Sequence, residues 1–181
     1  LRENGIKDIL MITGYHESKV KEYFNNGENL NVNIRYHTQK EQLGTANAIK
    51  YAQKHVKDDF IVLNGDIITE PDTITDLLSH YKEADTTIIL REVEDPSQFG
   101  VVKLEGDKVK DIIEKPPAHK APGNLINTGI YLFNHKIFHY IEKTKKSPRG
   151  EYEITDSIKM QIKDGLTIKG IISRRRWIDV G

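Results

Sequence analysis

Residues 60–66, Phe60-Ile61-Val62-Leu63-Asn64-Gly65-Asp66, pass from a short apolar run into Asn-Gly-Asp, and this passage decides the fold. Four consecutive apolar residues closed by turn formers read as a strand buried on both sides, as in parallel sheets. Just before it, Ala48, Ile49, Ala52 and Val56 share one face of a helix starting at Thr45; just after it, Ile74, Leu77, Leu78 and Tyr81 mark another. Further out, Ile6 to Thr13 is an apolar strand ended by Gly14, Asn31 to Tyr36 alternates at strand period, and Thr86 to Leu90 is β-branched and apolar. His16, Val20 and Phe24 place a helix between the first two strands. Such alternation predicts an α/β fold: a Rossmann-like mixed, mainly parallel sheet with helices on both faces.

The middle of the chain departs from this pattern. Val101 to Glu105 and Lys108 to Glu114 flank Gly106-Asp107, which predicts an inserted β-hairpin. Leu125 to Phe133 reads as a strand, Glu153 to Lys163 as a helix with Ile154, Ile158 and Ile162 inward, and Leu166 to Ser173 as a strand.

Composition narrows the function classes. With 181 residues the chain suits one domain, and 27 basic residues balance 27 acidic ones, so neither nucleic acid nor an anionic membrane is an expected partner. The absence of cysteine excludes disulfides, thiolate nucleophiles and cysteine metal sites. No apolar run nears the roughly 18 residues of a membrane span, and the start has no signal-peptide pattern, so the expected location is cytoplasmic. Seven histidines show no recognisable ligand spacing. Leu1 to Asn4 followed by Gly5 reads as the last turn of a helix, so an N-terminal portion is expected to be missing; the stop at Gly181 suggests a cut C-terminus as well.

Several residues carry candidate chemistry. Asp66 follows an apolar strand, at the edge where open α/β sheets bind ligands, and reads either as a turn cap or as a Mg²⁺ ligand for a triphosphate. Asp179, within Trp177-Ile178-Asp179-Val180-Gly181, reads as a buried carboxylate in need of a cation, able to complete that site. Gln39 to Ala46 runs from a strand end into a helix: the Gln39 amide suits a base edge, Gly44 and Thr45 suit a phosphate, and Thr45 also reads as a simple N-cap. Glu114-Lys115 before Pro116-Pro117 suits a sugar phosphate, or is a surface ion pair before a turn. Asn127-Thr128-Gly129 interrupts its strand and implies a bulge or close approach of a ligand. Arg174-Arg175-Arg176 is a basic cluster near Asp179, solvated or phosphate-binding.

In order, Gln39…Leu43-Gly44-Thr45-Ala46, Asn64-Gly65-Asp66, Phe99-Gly100-Val101-Val102, Glu114-Lys115-Pro116, Ile126 to Tyr131 and Trp177 to Gly181 resemble the sugar-phosphate nucleotidyltransferase family, with Gly150 to Asp156 a seventh similarity. That family includes glucose-1-phosphate thymidylyl- and uridylyltransferases and the pyrophosphorylase domain of N-acetylglucosamine-1-phosphate uridyltransferases. The resemblance implies that Asp66 and Asp179 bind Mg²⁺, that Gln39 reads a pyrimidine with Gly44 and Thr45 lining the nucleotide pocket, and that Gly100, Glu114, Lys115 and Asn127 hold the sugar phosphate. The implied substrates are a nucleoside triphosphate (dTTP or UTP) and a sugar 1-phosphate, glucose 1-phosphate first, with Asp66, Lys115 and Asp179 as the catalytic set. The resemblance leaves room for a homo-oligomer.

Family members also open with a strand and a Gly-rich loop of G-x-G-T-R type, followed by a Lys-Pro element. Neither precedes residue 39 here, so 1–181 is expected to be a partial domain with little catalysis of its own. Alternative readings are an N-acetylglucosamine-1-phosphate uridylyltransferase and a non-catalytic nucleotide-sugar-binding regulatory subunit. A metal-dependent glycosyltransferase would show a closely spaced Asp-x-Asp, which Asp66 lacks.

Overall fold

A computed structural model describes residues 1–181, the side chain of Ala118 excepted. The first half comprises β1 (Asp8–Thr13), α1 (Glu17–Phe24), β2 (Asn33–Thr38), α2 (Thr45–Lys50), β3 (Phe60–Leu63), β4 (Ile67–Thr69), α3 (Pro71–Ser79) and β5 (Thr86–Glu92). The second half comprises β6 (Gly100–Glu105), β7 (Lys108–Glu114), β8 (Leu125–Phe133), α4 (Ile137–Lys143), α5 (Ile154–Lys163), β9 (Ile168–Ile172) and β10 (Trp177–Asp179).

Strand alternation builds two cores. Along β5, Ile88 and Leu90 point to one face and Ile89 to the other; along β8, Tyr131 and Phe133 oppose Ile130 and Leu132. The first face packs under α2, α4 and α5 through Ala46, Ile49, Ile137, Phe138, Ile141, Ile154 and Ile158. Ile74 and Leu77 of α3 cover the second. Helices on both faces, as expected, explain why Ile88–Leu90 of β5 and Ile130–Phe133 of β8 are apolar at consecutive positions.

The expectation of a mainly parallel sheet gives way to a mixed one. The six-stranded sheet runs β3-β8-β5-β9-β7-β6, and β6 returns to touch β8 through Val101 and Ile126. Only β5–β9 is parallel within it; β3–β8, β5–β8, β6–β7 and β7–β9 are antiparallel. An apolar run reports burial on two faces but not the direction of its neighbour, and β8 is an antiparallel strand buried on both. The run at residues 60–63 is itself only half-buried, because β3 is an edge strand. β1 and β2 form a separate parallel pair, and β4 and β10 a separate antiparallel one.

The hairpin forms as read, with Gly106 at φ 61 in its turn. Asn127-Thr128-Gly129 is a bulge: the β5–β8 register jumps between Ile88 and Leu90 while the Thr128 hydroxyl donates to the Ile89 carbonyl at 2.7 Å. Gly129 has φ +78, and a Cβ there would lie 2.6 Å from Asn64 Nδ2, so the bulge lets the end of β3 approach closely.

Candidate active site

One edge of the main sheet collects the ends of several strands. Gly100 opens β6 and pairs with Glu114, which closes β7; Asn127 lies in the first half of β8 beside them. A Cβ on Gly100 would meet Thr155 Cγ2 at 3.1 Å, Glu114 Oε2 at 3.2 Å and Asn127 Cβ at 3.6 Å, so these residues surround a single small space. The Thr155 hydroxyl donates to Glu114 Oε2 at 3.1 Å, and Asn127 Nδ2 donates to Tyr131 Oη at 2.6 Å.

The charge in this cluster is uneven. Arg149 places Nη1 3.5 Å from Glu114 Oε1 and 3.7 Å from Glu153 Oε1, with Nη2 3.5 Å from Glu151 Oε1, so one guanidinium serves three carboxylates. Burial raises the pKa of Glu114 and the neighbouring Glu153 charge adds to it; Thr155, Arg149 and Lys115 offset this only in part. Burial likewise raises Glu153, which is 4% exposed. Three carboxylates around one guanidinium leave carboxylate oxygens in excess, which suits a ligand that brings hydroxyl donors. Glu114 and Lys115 form no ion pair with each other among the described residues. Lys115 is exposed, in the left-handed region at φ 38 directly before Pro116, with its N–H bonded to the Phe99 carbonyl at 3.0 Å. That conformation costs of order 1–3 kcal/mol for a non-glycine residue.

A second cluster lies beyond β2. The Gln39 N–H continues the β1–β2 ladder to the Thr13 carbonyl at 2.7 Å, and Gln39 Nε2 donates to Asn47 Oδ1 at 2.8 Å. Gly44, not Thr45, is the N-cap of α2; its φ of 104 and the Tyr152 backbone, 2.7 Å from a would-be Cβ, require glycine. Thr45 is not a cap for its own helix: its hydroxyl accepts the Ile154 N–H at 3.0 Å, at the start of α5. Tyr152 adds backbone bonds to Leu43 and Ala46 at 2.8 and 2.9 Å. The first turn of α5 therefore touches both clusters, Ile154 bonding Thr45 and Thr155 bonding Glu114.

Asp66 and Asp179 also meet. The Val180 N–H donates to the Asp66 carbonyl at 2.9 Å, and a Cβ on Gly181 would lie 2.7 Å from Asp66 Oδ2 and 3.4 Å from Asp179 Oδ1. Both are exposed, which corrects the expectation of a buried Asp179: β10 is three residues long, pairs only with short β4, and Asp179 is its last residue. No cluster of three metal-ligating side chains occurs among the described residues. Both carboxylates lie beside Gly181, whose N–H donates to Asp179 Oδ1 at 3.0 Å, and a pair of carboxylates is within the set that Mg²⁺ takes, its shell completed by phosphate oxygens and water. Trp177 ties this arm to the sheet, donating from Nε1 to the Thr128 carbonyl at 3.1 Å. Of the arginine cluster, Arg175 is committed to Asp76 and Asp72 at 2.7 and 3.0 Å.

The sequence of residues 1–181 matches the nucleotidyl transferase family along its whole length. The chain belongs to that family. Its relatives in the nucleotidyl transferase family include the bifunctional protein GlmU of Methanococcus maripaludis strain C7, 39% identical over 180 residues, covering 99% of this chain and 41% of the relative. GlmU of Methanocaldococcus jannaschii is 41% identical over 180 residues with the same coverage, 99% and 41%. The chain thus spans about two-fifths of the length of these relatives. A UDP-glucose pyrophosphorylase solved in complex with UDP-glucose superposes with a TM-score of 0.85 at 26% identity, covering 99% of this chain and 77% of that one. The mixed α/β architecture is therefore that of the nucleotidyl transferase family.

Sequence reading gave no role to Arg149, Glu153 or Thr155, although Gly150 to Asp156 stood out as a motif. The available signal was the Glu151, Glu153, Asp156 run beside Arg149, more charge than a helix start needs. Asn47 gave no signal at all, since a polar residue in a first helical turn is ordinary.

Proposed function

We propose that the chain forms the base-, sugar- and metal-contacting part of a sugar-1-phosphate nucleotidylyltransferase that joins glucose 1-phosphate to UTP or dTTP and releases pyrophosphate. The observation that carries this reading is the start of α5, where Ile154 bonds Thr45 and Thr155 bonds Glu114, fixing a base-side and a sugar-side cluster to one rigid turn. Gln39 reads the pyrimidine, with Gly44 and Thr45 lining the nucleotide pocket. Gly100 leaves room for the sugar, Glu114 and Asn127 take its hydroxyls, and Lys115 meets its phosphate as a compact charge. Asp66 and Asp179 would hold Mg²⁺, which supplies charge neutralisation to the phosphates.

A phosphate oxygen of the sugar 1-phosphate attacks the α-phosphorus; one P–O bond forms as the bond to pyrophosphate breaks, and no enzyme-bound intermediate is needed. The residues named here position and orient the reactants, a contribution worth several kcal/mol when the geometry is held. N-acetylglucosamine 1-phosphate is the second sugar to consider, because the family that the ordered sequence motifs resemble includes N-acetylglucosamine-1-phosphate uridyltransferases. The test is pyrophosphate release by the full-length protein against a panel of both sugar phosphates with UTP, dTTP, CTP and ATP. Release with glucose 1-phosphate and UTP or dTTP supports the proposal. Nucleotide-sugar binding without any release would instead identify a regulatory subunit.

A further inference from the structure

Residues 173–177 lead from β9 to β10 and are bonded to α3, β4, β5 and β8. Arg175 grips α3 as a fork: Nε and Nη2 donate to Asp76 Oδ2 and Oδ1 at 2.7 and 3.2 Å, and Nη1 donates to Asp72 Oδ2 at 3.0 Å. From β5, Arg91 Nη1 donates to the Arg175 carbonyl at 2.6 Å. The Thr69 hydroxyl donates to the Arg176 carbonyl at 3.2 Å, the Arg176 N–H donates to Glu70 Oε1 at 3.3 Å, and Trp177 Nε1 reaches the Thr128 carbonyl. β10 itself has three residues and pairs with β4, Asp179 standing opposite Ile67. A two-stranded ladder of that length does not hold its own register, and a slip of one residue turns every side chain to the other face.

We propose that the Arg175–Asp76 pair positions Asp179: by anchoring residue 175 to α3 it fixes the register of β10 against β4, and so brings the Asp179 carboxylate beside Asp66. A half-exposed ion pair ordinarily contributes little, but a two-pronged guanidinium–carboxylate contact fixes distance and angle together. A lysine would supply the charge without the fork. The inference rests on the assignment of Asp66 and Asp179 as the metal carboxylates made above. Arg175 and Asp76 act through the backbone of β10.

The experiment titrates Mn²⁺ alone into the full-length protein, with binding read from the loss of the free-ion EPR signal and a melting curve for each variant. Arg175→Gln and Asp76→Asn are each expected to weaken Mn²⁺ binding about tenfold, the usual cost of removing a support behind a metal ligand. A purely electrostatic influence would act in opposite directions, since losing a cation strengthens cation binding and losing an anion weakens it. The double variant is expected to bind no more weakly than the weaker single one, because both changes break one anchor. Arg175→Lys replaces Arg175→Gln should the latter not fold, with the same direction expected. Asp179→Ala is expected to abolish binding. Unchanged or tighter Mn²⁺ binding in the Arg175 variant, or additive losses in the double variant, overturns the positioning role alone when Asp179→Ala binds none. Mn²⁺ binding kept in Asp179→Ala overturns the metal assignment, and the positioning role with it.

Discussion

Glu114 accepts from the Thr155 hydroxyl, lies near Arg149, and is held with a raised pKa by burial and by Glu153. In its proposed role as an acceptor for sugar hydroxyls the ionised form binds more strongly, so sugar-phosphate affinity should weaken on acidification at a pH above the usual glutamate range. Glu114→Gln should flatten that dependence while lowering affinity roughly tenfold, as read by KM for the sugar phosphate against pH. Gly44 makes a different demand. Its φ of 104 and the Tyr152 backbone nitrogen and oxygen at 2.8 and 2.7 Å leave no relief for a side chain, so Gly44→Ala should cost about 2 kcal/mol or more by denaturant titration. At this scale the sequence was legible where the backbone admits one residue type, as at Gly44. It was silent on contacts between ordinary residues: nothing in it joins Asn47 to Gln39, or Thr155 to Glu114, 41 positions away in the chain.

Among the elements, the start of β5 is tied to the loop before α4 and to the start of β9 by one carboxylate. Burial pushes the pKa of Asp85 up, but Lys136, the Thr167 N–H and Asn134 outweigh it and the net shift is downward. A lowered carboxylate stabilises the fold above its unfolded pKa, and that stability is lost as pH falls through the lower folded value. Asp85→Ala should therefore cost about 2–3 kcal/mol at pH 7, lower Tm by about 5–10 °C, and remove this part of the acid sensitivity. β1 and β3 each pair on one side only, β1 with β2 and β3 with β8. Unpaired strand edges invite pairing with another chain. The polypeptide 1–181 alone should self-associate with rising concentration in light scattering, and a monodisperse monomer would contradict this. Helices, the hairpin and the bulge at Asn127 to Gly129 followed from periodicity and turn chemistry. Strand direction did not, because hydrophobic period is the same for parallel and antiparallel neighbours, and Phe60 to Leu63 reads identically at an edge or a centre.

Across the whole molecule, the start of α5 joins Thr45 to Glu114, Asp66 and Asp179 both lie beside Gly181 at the separate β4–β10 pair, and the family match spans all of residues 1–181. The ordered motifs predicted the family, which the match along the whole chain shows, and the geometry joins the start of β6, the end of β7 and the start of α5 around Gly100. Exposed Asp66 and Asp179 contribute little packing, so their removal should affect chemistry far more than folding. The most direct test is pyrophosphate release from UTP and glucose 1-phosphate by the full-length protein and its Asp66→Ala variant, each with a melting curve. The account predicts at least about a hundredfold loss of kcat with Tm unchanged within error. Equal pyrophosphate release by the two proteins would contradict it.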